Sequence, residues 1–189
     1  MADFAAARLN MVESQVRPAD VTDVRIHDAM HAIARESLVP PGKAYLAYAD
    51  AAVEIAPGRW LLRPRDVAKL LQEAKPRTGE RALAISAPYA ALVLEALGLA
   101  VERLEGCDLT TPVGGDYDLI IVEGAVARAP QAWRDALAPG GRLAVIERDG
   151  PVGQACLYVS AEDGVARRAL FDATPPVLTG FEPQHGFAF

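Results

Sequence analysis

GERALAISAPYAALVLEALG, residues 79–98, changes its hydrophobic period halfway along. Arg81 to Ser86 is a short apolar run with turn signals before it, which reads as a strand. From Pro88 the apolar spacing becomes helical, with Leu92, Val93, Ala96 and Leu97 on one side before Gly98. A strand feeding a helix opens an α/β sheet, and the turn between them is the usual place to bind a nucleotide, because the helix N–H groups face the ligand there. Such a turn normally carries glycines, which let the backbone approach closely and turn tightly. Here it reads Ser86-Ala87-Pro88-Tyr89, with no glycine between Arg81 and Leu97, and Pro88 removes a donor.

Downstream, Leu99 to Leu104 is a second strand that ends at Glu105. Only Gly106 to Asp116, with Gly106, Pro112, Gly114 and Gly115, precede the very apolar strand Tyr117 to Val122. A helical crossover needs roughly 10–12 residues of helix-forming content, so this connector is expected to be coil, giving the strand order second, first, third. Ala127 to Leu137 reads as a helix ended by Pro139-Gly140-Gly141, and Arg142 to Glu147 as the next strand. Gln154 to Ser160 and Val165 to Phe171 alternate around Glu162-Asp163-Gly164, a hairpin signal.

Upstream, residues 3–16 and Thr22 to Arg35 read as helices. Ala52 to Ile55 reads as a strand, Trp60 and Leu62 fall in a loop, and a helix runs from Pro64 to Pro76. The expectation is an α/β, Rossmann-like three-layer sandwich in one domain. Residues 1–76 form a helical cap and loop region, 77–174 the core with its mostly parallel sheet and antiparallel hairpin, and 175–189 a tail whose Phe181, Phe187 and Phe189 tuck against the domain.

The 189 residues are 51% hydrophobic, enough for one substantial core, and the formal charge is −6. Scattered arginines and a net negative charge argue against a sequence-independent nucleic-acid binder. Cys107 and Cys156 have no metal-binding spacing and read as reduced packing residues. Asp3 and Arg8 interrupt the N-terminal alanines, and no apolar run reaches spanning length, so a cytoplasmic protein is expected, with no membrane partner.

Met11-Val12-Glu13-Ser14-Gln15-Val16-Arg17, Val21-Thr22-Asp23 with Ala29-Met30, Leu38-Val39-Pro40 and Tyr48-Ala49-Asp50 follow one another as in the protein-L-isoaspartate O-methyltransferases. The strand from Tyr117 to Val122 and Leu137-Ala138-Pro139-Gly140-Gly141-Arg142-Leu143 continue the match. The resemblance covers nearly the whole chain. It implies a Rossmann-like sheet, S-adenosyl-L-methionine as methyl donor, no metal, and methyl transfer to the carboxylate of damaged aspartyl residues in proteins. It also implies where the chain departs from the pattern. The family's glycine-rich donor turn aligns with Ala84 to Tyr89, and its Thr-Ile-Ser-Gln-Pro substrate loop with Trp60-Leu61-Leu62-Arg63-Pro64, which keeps only the proline. Glu105 matches the acid that binds the donor's ribose.

Ser86, Glu105 and Glu123 are thus the candidate cofactor-binding residues, with Glu147 at a further strand end, and Trp60, Leu62, Arg63 and Pro64 mark the substrate loop. His27 and His31, four apart on one helix face, lack a third ligand and read as a surface pair. Trp60 is expected to cover the substrate cleft, while Arg63 and Arg65 start a helix. The leading expectation is a catalytically weak or inactive family member that binds a protein, peptide or small ligand. The rival is an active methyltransferase of isoaspartyl residues, and the third reading is a structural oligomer such as a homodimer.

Overall fold

A computed structural model of the chain describes residues 3–106, 108–112 and 114–183. Cys107, Phe187 and Phe189 lie outside them. The chain begins with α1 (Phe4–Met11), which runs on through a π-helical turn (Val12–Val16) and a 3-10 turn (Arg17–Ala19), and then α2 (Val24–Ala32). A small antiparallel hairpin, β1 (Val53–Ala56) and β2 (Arg59–Leu61), leads into α3 (Pro64–Ala74). There follow β3 (Arg81–Ile85), α4 (Pro88–Ala96), β4 (Ala100–Leu104), β5 (Tyr117–Val126), α5 (Gln131–Asp135), β6 (Leu137–Glu147), β7 (Gly153–Ala161) and β8 (Gly164–Ala173).

The main sheet has the order β4-β3-β5-β6-β7-β8; the first four strands are parallel and the last two antiparallel. Its β4-β3-β5 portion is the second-first-third order expected from the short connector. None of the connector's described residues is helical or in a strand.

Alternation along the strands builds two cores. Ala82, Ala84, Leu119, Ile121, Ala144 and Ile146 face the N-terminal helices, α3 and α4, whereas Leu83, Ile85, Ile120, Val122, Leu143 and Val145 face the opposite side. That second layer is thin. With no helix among the connector's described residues, it is made of α5, Leu109 and the tail residue Leu178, and Trp133 Nε1 donates to the Leu109 carbonyl at 2.8 Å.

Several expected boundaries move. The first helix, with its π-helical turn, ends at Val16 as expected, and Pro18 sits in the opening turn of the 3-10 segment that follows, where no N–H is required. The second ends earlier than Arg35, at Ile33, whose backbone turns extended. Trp60 lies in β2, paired with Glu54, rather than in a loop. The helix expected over residues 127–137 shrinks to the five residues of α5, since β5 continues to Val126 and β6 starts at Leu137. Pro139-Gly140-Gly141 is therefore a bulge within β6. At Gly141 a Cβ would stand 2.5 Å from the Tyr117 carbonyl oxygen, so only glycine fits this approach of two strands.

His27 is buried and not a surface residue; its Nε2 lies 2.9 Å from the Val21 carbonyl, to which it donates. His31 is half-buried, 3.8 Å from Glu13. Cys156 is a free, buried thiol. No helix among the described residues is long and apolar enough to cross a membrane.

Candidate functional site at the carboxyl end of the parallel strands

The turn after β3 makes its bend without glycine by placing Ser86 at φ +47°, in the left-handed region. Its N–H reaches the Leu104 carbonyl at 3.0 Å, and its Oγ is buried without a hydrogen-bond partner among the described residues. Ala87 precedes α4 and offers no side-chain cap. The cap comes from another strand. Glu123, three residues before the end of strand β5 and wholly buried, accepts the Ala90 N–H at 2.6 Å through Oε1 and the Leu62 N–H at 3.2 Å through Oε2, and the Tyr89 N–H also points to this carboxylate. Negative charge is favoured at a helix N-terminus.

Arg35 faces the same place. It is fully buried, donates from Nε to the Ala47 carbonyl at 2.7 Å and from Nη2 to the Leu62 carbonyl, and its guanidinium carbon lies 4.5 Å from the centre of the Tyr89 ring. Arg35 and Glu123 thus hold the carbonyl and the N–H of one residue, Leu62. Burial pushes the Glu123 carboxyl up, against Arg35 and the three backbone N–H groups, and pushes the Arg35 guanidinium down. The Tyr89 phenol, also raised by burial, has no partner for its OH among the described residues.

The candidate residues separate into different settings. Leu62 and Glu123 are brought into contact, and Pro64 starts α3 in a buried position. Glu105 stands apart on the surface, 3.9 Å from Arg59. Glu147 accepts the Ala129 N–H at 2.9 Å and the Tyr158 hydroxyl at 2.6 Å, and pairs with Arg167 at 2.9 Å. Arg63 pairs with Asp66 at 2.9 Å and Arg65 with Asp50 at 3.5 Å, both at the start of α3. Trp60 is half-buried. Arg35 and Tyr89 were not legible as site residues: one reads as a helix end, the other as an ordinary first-turn aromatic.

The described part of the tail, residues 175–183, packs over the same strand end, as expected for Phe181. Pro176 accepts the Ala125 N–H at 3.0 Å, Leu178 donates to the Ala125 carbonyl at 2.8 Å, and Phe181 accepts the Ala127 N–H at 2.8 Å. Leu178 is fully buried against Gly124, and the Phe181 ring lies 5.3 Å from that of Trp133. Among the described residues no group of three or more His, Cys, Asp or Glu is placed to hold a metal ion.

This is the architecture of a Rossmann-like α/β protein with an N-terminal helical region. It resembles a Plasmodium falciparum chain described as a protein-L-isoaspartate O-methyltransferase and solved with S-adenosyl-L-homocysteine. The TM-score is 0.72 at 16% identity, covering 91% of this chain and 98% of that one. A second structure named protein-L-isoaspartate O-methyltransferase superposes with a TM-score of 0.70 at 19% identity, over 88% of this chain and 64% of the other. No protein-family model matches the chain. Among sequences, a protein-L-isoaspartate O-methyltransferase of Methylorubrum extorquens is 33% identical over 185 aligned positions, spanning 84% of this chain and 81% of its own length. One from Methylorubrum populi is 35% identical over 182, spanning 82% and 85%. The chain belongs to the protein-L-isoaspartate O-methyltransferase family.

Proposed function

We propose that this family member is catalytically weak or inactive, and that it acts by binding a protein or small ligand on its methyltransferase scaffold. The observation that carries the reading is the Glu123 carboxylate seated on the N–H groups of Tyr89 and Ala90 at the start of α4. In a strand-turn-helix unit those donors are what a bound nucleotide would use. Methyl transfer asks the protein mainly to hold donor and nucleophile in line in preorganised surroundings. The residues present do not fit the donor: the turn has no glycine, Ser86 is buried, and Leu62 of the substrate segment is pinned into the core.

One observation favours the rival, an S-adenosyl-L-methionine-dependent methyltransferase of isoaspartyl residues, as the relatives are named. Glu105 is accessible at the end of β4, where among the described residues it has a 3.9 Å ion pair to Arg59. The test is a methyl-transfer assay with labelled S-adenosyl-L-methionine and an isoaspartyl peptide. The proposal expects incorporation at or barely above that of a protein-free blank, and unaffected by Glu105→Ala. Turnover that Glu105→Ala abolishes would establish the rival.

A further inference from the structure

We infer that the start of α4, the Leu62 N–H and Arg35 together form a carboxylate-binding site that the chain fills with its own Glu123, closing from within the end of the sheet where the family's donor is expected. The inference rests on the proposed reading that the donor is not held, and it identifies what holds the site shut.

Three features separate this arrangement from ordinary helix capping. The carboxylate comes from β5, whereas a capping residue is local to its helix, and it gathers N–H groups from two further segments, α4 and the residue after β2. The site also has a cation: Arg35 is as deeply buried as Glu123 and reaches the same residue, Leu62, from its carbonyl side. Finally, among the described residues Arg35 Nη1 is buried with no hydrogen-bond partner, as is the Oγ of Ser86 in the turn before α4. Unsatisfied buried donors are costly, so positive charge and donors exceed what Glu123 neutralises through direct bonds. The donor set, N–H groups plus a guanidinium, is suited to a carboxylate.

Acetate carries the four heavy atoms that Glu123→Ala removes, so it is the probe. Thermal unfolding is measured for the unaltered protein, Glu123→Ala and Glu123→Gln, in sodium chloride and in sodium acetate at equal ionic strength. Glu123→Gln keeps the side-chain volume and an acceptor oxygen for the backbone N–H groups, so it supplies a control in which the site is still filled. The inference expects acetate to raise the midpoint of Glu123→Ala in a saturable way, with no such change for the other two proteins. If Glu123→Ala is insoluble in chloride, recovery of soluble protein in acetate is the expected result. Equal shifts in all three proteins, or no rescue of Glu123→Ala by acetate in midpoint or solubility, would overturn it. Binding of S-adenosyl-L-homocysteine by the unaltered protein would instead overturn the reading on which the inference rests, whatever acetate does.

Discussion

Ser86 carries the strain that a glycine would have avoided. A non-glycine residue in the left-handed region costs about 1–2 kcal/mol, and the unpartnered Oγ returns nothing for its burial. Ser86→Gly is therefore expected to stabilise the protein by about 0.5–1 kcal/mol after the extra chain entropy of glycine is counted, read as a higher midpoint in urea. A lower midpoint would mean that the hydroxyl makes a compensating contact. At this scale the sequence was informative about position and silent about environment. Glu105, Glu123 and Glu147 were identifiable as strand-end carboxylates from the strand periods alone. What distinguishes them is three-dimensional: Glu105 meets a β2 arginine, Glu147 a hairpin, and Glu123 a helix start 33 residues earlier in the chain. No local pattern marks Arg35 as their buried counterpart, because its partners are carbonyls of Ala47 and Leu62.

Elements are tied together by a second arginine. Arg142, just past the bulge in β6, donates to the Ala74 and Lys75 carbonyls at the end of α3, to the Asp118 carbonyl in β5, and in a fork to Glu80 at 2.8 and 2.9 Å. Partial burial works to raise the Glu80 carboxyl, but the Arg142 fork and the Arg77 N–H hold it below its usual range. A carboxyl lowered on folding contributes stability that is present above its unfolded pKa, about 4.3, and is lost as pH falls through the folded value. Glu80→Gln should then cost about 1–3 kcal/mol at pH 7. The gap from the unaltered protein should close as pH drops below about 4, as followed by denaturant titration at each pH. Strand and helix order were legible because the hydrophobic period is strong and because 106–116 is too short for a helical crossover. The extent of α5 was not, since β5 continues past Val122 through pairing of Ala125 and Val126 with Ile146 and Glu147 of β6 and through the distant tail, where Pro176 and Leu178 are backbone partners for Ala125.

For the whole molecule, the carboxyl end of β5 is covered twice, by Leu62 bonded to Glu123 and by tail residues bonded to Ala125 and Ala127. Leu178→Ala removes a fully buried side chain and is expected to lower stability by about 2 kcal/mol or more. It should also loosen Phe181 from Trp133, giving a red-shifted Trp133 emission in a Trp60→Phe background. An unchanged spectrum and midpoint would show that the tail is not part of the packed structure. Both covers bear on the same claim, that this methyltransferase-family fold has turned its donor site into interior. Calorimetric titration with S-adenosyl-L-homocysteine tests it most directly. No heat and no thermal stabilisation up to millimolar ligand is the predicted result; saturable binding at micromolar concentration, about −8 kcal/mol, would contradict it.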